Sequence, residues 1–307
     1  MVILAWILLG TPLFGDSNVY PLLVLAGIYG IVVVGVSVLT GLGGQITLGH
    51  AVFMAVGAYA SALATTKWSL SPLTGVVLGV VAALALALVT SPILRLRGWY
   101  LAIATIAISA MLQQVLANLK SFTGGNNGIF GIPSLSVGGL ELKDEPTYFV
   151  LAWTLVLALY LLGRNIARSR FGRALTAIHK DADSAATLGI NPARVKAVLW
   201  MVASVPAAIA GSVFAHYSAF IAPGNFAFST SLLFFAAVII GGERSIFGGL
   251  VMVTVLVAIS AYATQTFTTD LIEAIVMVVV YLLSPQGLAG IGSVLLNRIR
   301  DVRRRHA

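Results

Sequence analysis

Cysteine is absent from all 307 residues of the chain. That excludes disulfide staples, thiolate metal sites and a cysteine nucleophile, while leaving the compartment open. Charge is scarce as well: Asp, Glu, Lys and Arg together supply 9% of the residues, and the acids number only 10. Such a sequence has too little polar surface to coat a soluble globule of this size. Motifs that carry chemistry are also missing. No G-x-x-x-x-G-K-[ST] phosphate loop is present, Gly41-Leu-Gly-Gly-Gln-Ile46 fails G-x-G-x-x-G at its last position, and neither H-E-x-x-H nor G-x-S-x-G occurs. The chain is expected to be no enzyme and to hold no cofactor, ATP or metal of its own.

What is present is apolar: 59% hydrophobic residues, with a mean hydropathy of +1.00. Hydrophobic runs longer than ~18 residues recur along the whole length, more than one anchor or a cleaved signal peptide accounts for. The expectation is an all-α, polytopic membrane bundle of about ten transmembrane helices, with Gly-broken segments and an internal pseudo-repeat. Spans fall near Val2 to Phe14, Tyr20 to Thr40, Ile46 to Thr66, Pro72 to Leu94, Trp99 to Leu119, Tyr148 to Gly163, Ala197 to Ile221, Ser229 to Ile240, Ile246 to Thr264 and Leu271 to Leu283. The first and eighth are shorter than the ~20 residues of a full crossing. Residues 1–307 read as a single transmembrane domain, with a cytoplasmic loop at 165–196 and a basic cytoplasmic tail at 296–307.

Most of the 18 Lys and Arg sit in three groups: Arg95 and Arg97; Arg164, Arg168, Arg170, Arg173, Lys180, Arg194 and Lys196; and Arg298, Arg300, Arg303, Arg304 and Arg305. With the spans above, all three fall on one side. The positive-inside rule makes that side the cytoplasm, puts both termini there, and places Lys120 to Pro146 outside. Basic residues that flank apolar spans orient the protein in a lipid bilayer and need no nucleic acid to explain them.

Glycine is abundant, and in membrane helices it either lets backbones approach or breaks them. Gly57-x-x-x-Ser61 and Gly75-x-x-x-Gly79 have the spacing of close helix contacts. Gly41, Gly43, Gly44 and Gly49 in TGLGGQITLGH, and Gly241, Gly242, Gly248 and Gly249 in IGGERSIFGGL, interrupt apolar runs in the two halves of the chain. Two readings of these clusters stay open: discontinuous helices beside a pathway, or tight turns between ordinary spans. The candidate pathway or hinge residues are Gly41, Gly43, Gly44, Gln45, Thr47, His50, Gly241, Gly242 and Glu243. On the pathway reading, Val at Gly44 or Gly242 harms transport more than Val at Gly75 or Gly79, because a packing contact relaxes. For His50 the alternatives are a hydrogen bond to neighbouring backbone and pore lining; Gln113 and Gln114 suit interhelical hydrogen bonds. A third cluster, Thr123 to Pro133, reads either as structured turns at the external mouth or as a flexible loop.

The basic island contains ALTAIHKDADSAATLGINPARVK, from Ala174 to Lys196. Asp181 is placed to cap a short helix whose Ala182, Ala185, Ala186 and Leu188 form an apolar strip, Gly189 supplies a stop, and Asn191-Pro192 prevents continuation. About two helical turns are not stable alone in water. A partner must hold them, either another protein's cleft or lipid headgroups met through Arg170, Arg173 and Lys180.

These segments together, TGLGGQITLGHAVFMAVGAYASA, LRLRGWYLAIATIAIS, TGGNNGIFGIP, SRFGRALTAIHKDADSAATLGINPARVK, IIGGERSIFGGL and LLSPQGLAG, in this order from Tyr20 to Gly290, resemble the LivM-type branched-chain amino acid ABC transporter permeases. The resemblance implies an importer of the bacterial inner membrane. This chain would pair with a homologous LivH-like permease, two ATP-binding cassette subunits holding ATP and Mg would dock below, and an extracytoplasmic solute-binding protein would deliver the substrate. Coupling to the ATPase would fall to Asp181, Ala182, Asp183, Ser184, Ala185, Ala186, Leu188, Gly189, Asn191 and Pro192. The substrate class implied is branched-chain or other amino acids, with urea, short amides and small carboxylates as alternatives in related permeases. Two departures stand out: the apolar sequence at the N-terminus is short, and the loop Gly138 to Pro146 is brief. The rival class is an ion-driven carrier, which needs a carboxylate deep in the membrane; Asp270 and Glu273 lie at the outer end of the last span and Glu243 at a turn. A channel reading lacks a filter-like repeat or ring of charges.

Overall fold

The computed structural model describes residues 19–263, apart from 97, 138, 139, 143 and 244. The expected spans Val2 to Phe14 and Leu271 to Leu283, the acids Asp270 and Glu273, and the basic tail lie outside the described residues. Eight of the expected spans fall within them, and each finds a helix. In chain order the helices are α1 (Tyr20–Gly43), α2 (Ala51–Thr66), α3 (Pro72–Thr90, extended by a 3-10 turn Ser91–Arg95), α4 (Trp99–Asn118), α5 (Lys120–Thr123), α6 (Glu145–Arg168), α7 (Arg170–Lys180), α8 (Ala182–Thr187), α9 (Pro192–Ser218), α10 (Phe228–Gly241, preceded by a 3-10 turn Pro223–Phe226) and α11 (Ile246–Ala263). Six of these stretches are long and apolar enough to cross a bilayer, whereas α2 and α11 are shorter. The eighth expected span is α10, which reaches crossing length only with its 3-10 lead-in.

The core is built on α1. Its most apolar window is 83% buried against 22% for α3, so α1 runs through the middle while α3 turns most of its surface outward. A helix that is hydrophobic on every side belongs inside a bundle. Around α1 pack α6, α9, α10 and α11, and α2, α3 and α9 pack against one another.

Both small-residue motifs are contacts, and they meet each other. A Cβ on Gly75 would lie 2.7 Å from Ser61 Oγ, and one on Gly79 would lie 2.9 Å from the Gly57 carbonyl. A Cβ on Gly57 would overlap the Ala208 backbone of α9, and Ser212 Oγ donates to the Gly57 carbonyl at 3.1 Å. Close backbone approach replaces the hydrophobic effect as the force between helices in lipid.

At the end away from the basic helices, β1 (Ile129–Phe130) pairs antiparallel with β4 (Phe220–Ile221), and β2 (Ser136–Val137) pairs with β3 (Leu140–Glu141). His216 ties this cover to the bundle: its Nδ1 sits 2.7 Å from the Pro133 carbonyl and its Nε2 2.8 Å from Ser61 Oγ. A carbonyl only accepts, so Nδ1 carries the proton and Ser61 donates to Nε2. Tyr148 Oη donates to the His216 carbonyl and accepts from the Leu135 N–H. The Thr123 to Pro133 cluster is therefore a set of fixed turns, with Gly124, Gly125, Gly128 and Gly131 all at positive φ. Gln113 and Gln114 form no interhelical hydrogen bond among the described residues; Gln114 is exposed, and its backbone carbonyl accepts from Asn118 Nδ2.

Candidate functional site

The first glycine cluster breaks a helix. Gly44 adopts the left-handed conformation (φ 60°, ψ 26°) and closes α1, its N–H bonding the Thr40 carbonyl and the Gln45 N–H the Leu39 carbonyl. An L side chain disfavours that conformation, so glycine ends the helix here. Residues 45–50 then run without regular structure, and α2 begins at Ala51 rather than at the expected Ile46. Ile46 and Leu48 continue the apolar pattern, which disguised an extended segment as helix.

A break inside a membrane protein must find partners for the backbone groups it frees. Thr105 Oγ1 of α4 accepts from the Leu48 N–H at 3.1 Å, Ser231 Oγ of α10 accepts from the Ala51 N–H at 3.1 Å, and Thr47 Oγ1 accepts from the Gly49 N–H at 3.4 Å. Gln45 Nε2 donates to the Gly43 carbonyl, and Thr40 Oγ1 donates to the Gln45 carbonyl. Gln45 and Thr47 thus serve the chain's own backbone. Ser231 and Thr105 belong to this site too, and sequence reading missed both. No local signal points to a partner 180 residues away.

His50 immediately precedes α2. It is buried, and neither ring nitrogen has a hydrogen-bond partner of ordinary geometry, although the Ala203 backbone reaches the ring. Instead the imidazole stands edge-on to Trp200 at 5.3 Å and to Phe53 at 5.5 Å, and those two rings are 5.2 Å apart. The trio cements the start of α2 to α9.

The second glycine cluster is a turn. Gly241 lies against the Gly248 backbone, Gly242 has φ 105°, and the Ser245 N–H bonds the Gly242 carbonyl at 2.8 Å, so α10 folds directly back as α11. Glu243 is exposed at the tip. Gly241, Gly242 and Glu243 are thus placed in a connection between helices, apart from the hydrogen-bonded break at 44–50. The interruption in the second half lies at 219–227, where Ala219 takes φ 54° and the chain passes through β4 and the Pro223–Phe226 turn before α10 begins. Pro223-Gly224-Asn225 was its only sequence mark. The two breaks enter from opposite ends and their following helices touch, through the bond from Ala51 to Ser231.

At the basic end, α7 and α8 lie across the feet of the spans. Ser169 Oγ caps α7 through the Gly172 N–H, and Gly172, Leu175 and Ile178 form its buried face. Asp181 Oδ1 accepts from the Asp183 and Ser184 N–H groups and caps α8, as its sequence predicts. The expected apolar strip divides: Ala185 is 2% exposed and faces the chain itself, whereas Leu188 is 80% exposed and Ala186 points outward with it. Gly189 (φ 83°) ends the segment. Asn191 Oδ1 then caps α9 through the Arg194 N–H, and Pro192 is its first residue, so this pair starts a helix as well as stopping one. A cleft of about 380 Å³ between these helices and the break is lined by Gly44, Gln45, His179, Asp181, Asp183 and Lys196 among others.

Comparison with known proteins gives a consistent result. The family model described as "Branched-chain amino acid transport system / permease component" matches residues 18–283. The high-affinity branched-chain amino acid transport system permease protein LivM of Escherichia coli K12 is 33% identical over 288 residues, covering 85% of this chain and 67% of that protein. LivH of Salmonella typhimurium is 27% identical over 296 residues, with 87% and 92% covered, and BraD of Pseudomonas aeruginosa is 25% identical over 284 residues, with 85% and 91% covered. No solved structure matches. With the family match extending past both ends of the described bundle, this multi-pass membrane protein belongs to the branched-chain amino acid transport permease family.

Proposed function

We propose that the chain supplies half of a translocation pathway for branched-chain amino acids, paired with a homologous permease and driven by two ATP-binding subunits docked on its basic end. That end is the cytoplasmic one on this reading, both termini lie there, and a solute-binding protein delivers substrate to the β-strand cover at the other. The likeness to both LivM and LivH supports pairing with a related chain. The observation that carries the docking surface is Leu188. An 80% exposed leucine beside a capped acidic turn, at the membrane end richest in cations, is an apolar anchor awaiting a protein cleft.

Copurification of the ATPase with single variants tests it. Leu188→Glu is expected to weaken ATPase binding by about 2 kcal/mol, roughly 30-fold, while membrane insertion stays normal. Ala185→Glu is expected to lower the yield of folded permease instead, since that side chain is packed inside. In proteoliposomes, replacing the phosphate-binding lysine of the ATPase subunit should abolish uptake. Uptake that survives this change and collapses with the proton or sodium gradient would establish the ion-driven carrier in its place.

A further inference from the structure

A side-chain contact that caps neither element joins α7 to the break beside the cleft between them. The imidazole of His179 rests on the bare backbone of Gly44: a Cβ added to Gly44 would come within 3.1 Å of His179 Cγ and would overlap Nδ1 and Cε1. We infer that His179 is a positioning residue, the joint through which movement of the ATPase-docking helix α8 reaches the broken segment 44–50. This rests on the importer reading above and names the residue that links its two working parts.

Four features of the surroundings support a joint. First, His179 lies in the last turn of α7, two residues before the Asp181 cap of α8, so a displacement of α8 is felt there at once. Second, the start of α7 is fixed. Gly172 sits against the backbone of Ile166 and Ala167, and the buried Leu175 and Ile178 seat the helix along one face up to the residue before His179, so His179 is carried by the whole of α7. Third, His179 separates two clefts, one of about 380 Å³ beside Gln45 and Asp181 and one of about 360 Å³ beside Ser37 and Gly41. Close-packed interiors are stiff, so open space on both sides of a contact marks where relative movement meets least resistance. Fourth, Gly44 opens a segment whose bonds reach α4 through Thr105 and α10 through Ser231. Displacing the left-handed glycine shifts the segment's bond to α4 and, through the start of α2 at Ala51, the bond to α10. A neighbouring contact, Gly43 against Leu199 of α9, keeps the foot of α1 from absorbing the displacement itself.

The test uses the complete complex, this permease with its partner permease and ATPases, in proteoliposomes, measuring leucine uptake and ATP hydrolysis in parallel. His179→Ala is expected to leave ATPase stoichiometry unchanged and hydrolysis running, while uptake per ATP falls at least about fivefold. His179→Gln, which keeps most of the volume, is expected to retain coupling. Gly44→Ala is expected to uncouple as His179→Ala does, and the double variant is expected to recover part of the loss, because the new methyl fills the space the imidazole leaves. Recovery in the double variant is a signature of a steric relay, which two independent structural defects would not produce. Wild-type uptake per ATP in His179→Ala, or purely additive losses in the double variant, overturns the inference while leaving the importer reading intact. A wild-type permease that binds no ATPase overturns both.

Discussion

Gly211 and Gly44 are glycines for different reasons. Gly211 of α9 lies where a Cβ would overlap the Met54 carbonyl and stand 3.0 Å from the Ala58 nitrogen, so two helix backbones are in direct contact. Gly44 is glycine for its left-handed conformation, and the group nearest its missing side chain is the end of a side chain, the His179 imidazole, rather than backbone. One region is welded, and the other is a deformable connection. Around Gly211, Gly57 and Gly79, helices α2, α3 and α9 form a block of backbone-on-backbone contacts; around Gly44 the chain is held by its own helix-ending bonds, by hydrogen bonds from single side chains and by the packing of Gly43 on Leu199 and Gly49 on Thr105. Alternating access in such a molecule moves rigid groups of helices about connections of the second kind.

The largest expected effect attacks the welded region. Gly211→Val should cost more than about 3 kcal/mol, because neither backbone can retreat without breaking its own helix. Thermal melting of detergent-purified protein reads it, as loss of the folded species. Val at Gly79 should be severe as well, since it faces the Gly57 carbonyl at 2.9 Å. The sequence orders transport differently, packing glycines relaxing more readily than breaker glycines, and uptake per inserted complex in Gly44→Val and Gly79→Val decides between the two. A stable Gly211→Val protein would show that the helices separate easily and that the Gly211 region is no more rigid than the Gly44 region.

An intermediate effect is expected at the seam between the two breaks. Ser231→Ala leaves the buried Ala51 N–H without its acceptor, a loss of about 1–3 kcal/mol that should appear as a lower melting midpoint. Ser231→Thr keeps the hydroxyl and should recover most of it. An unchanged midpoint for the alanine variant would mean that the break is held by something other than this bond.

The smallest effect isolates backbone conformation from contact. Gly189 has φ 83° and nothing within 4 Å of an added Cβ, so Gly189→Ala should cost only about 1 kcal/mol, with ATPase copurification unchanged. If this variant is as damaging as Gly211→Val, conformational strain and not backbone contact governs the glycines of this chain.

Much of the bundle was legible beforehand because its signals are local. Ser71-Pro72 starts a helix that the Ser71 hydroxyl caps, and Asp181 caps α8 while Gly189, free to take a positive φ, ends the segment; Asn191-Pro192 reads as a stop and is also the start of α9. The break at 219–227 was legible as the gap between spans ending at Ile221 and starting at Ser229, but Phe220 and Ile221 read as helix, because hydrophobicity does not separate extended chain from helix within a membrane. The division of α8 into an inward Ala185 and an outward Leu188 escaped notice. Six residues of helix carry too short a pattern to show which side will find a neighbour.

The sequence by itself determined that this chain lives in a bilayer, where most of its helices run and which end is basic. Those properties are sums over residues, since each side chain brings its own transfer free energy and charge whatever its distant neighbours do. Only the tertiary structure decided which glycines touch backbone and which merely turn it, that Ser231 would cap α2, and that His179 would rest on Gly44. These depend on groups far apart in the chain arriving within contact distance, and a hydrogen bond or a steric contact loses nearly all its strength within an ångström of misplacement.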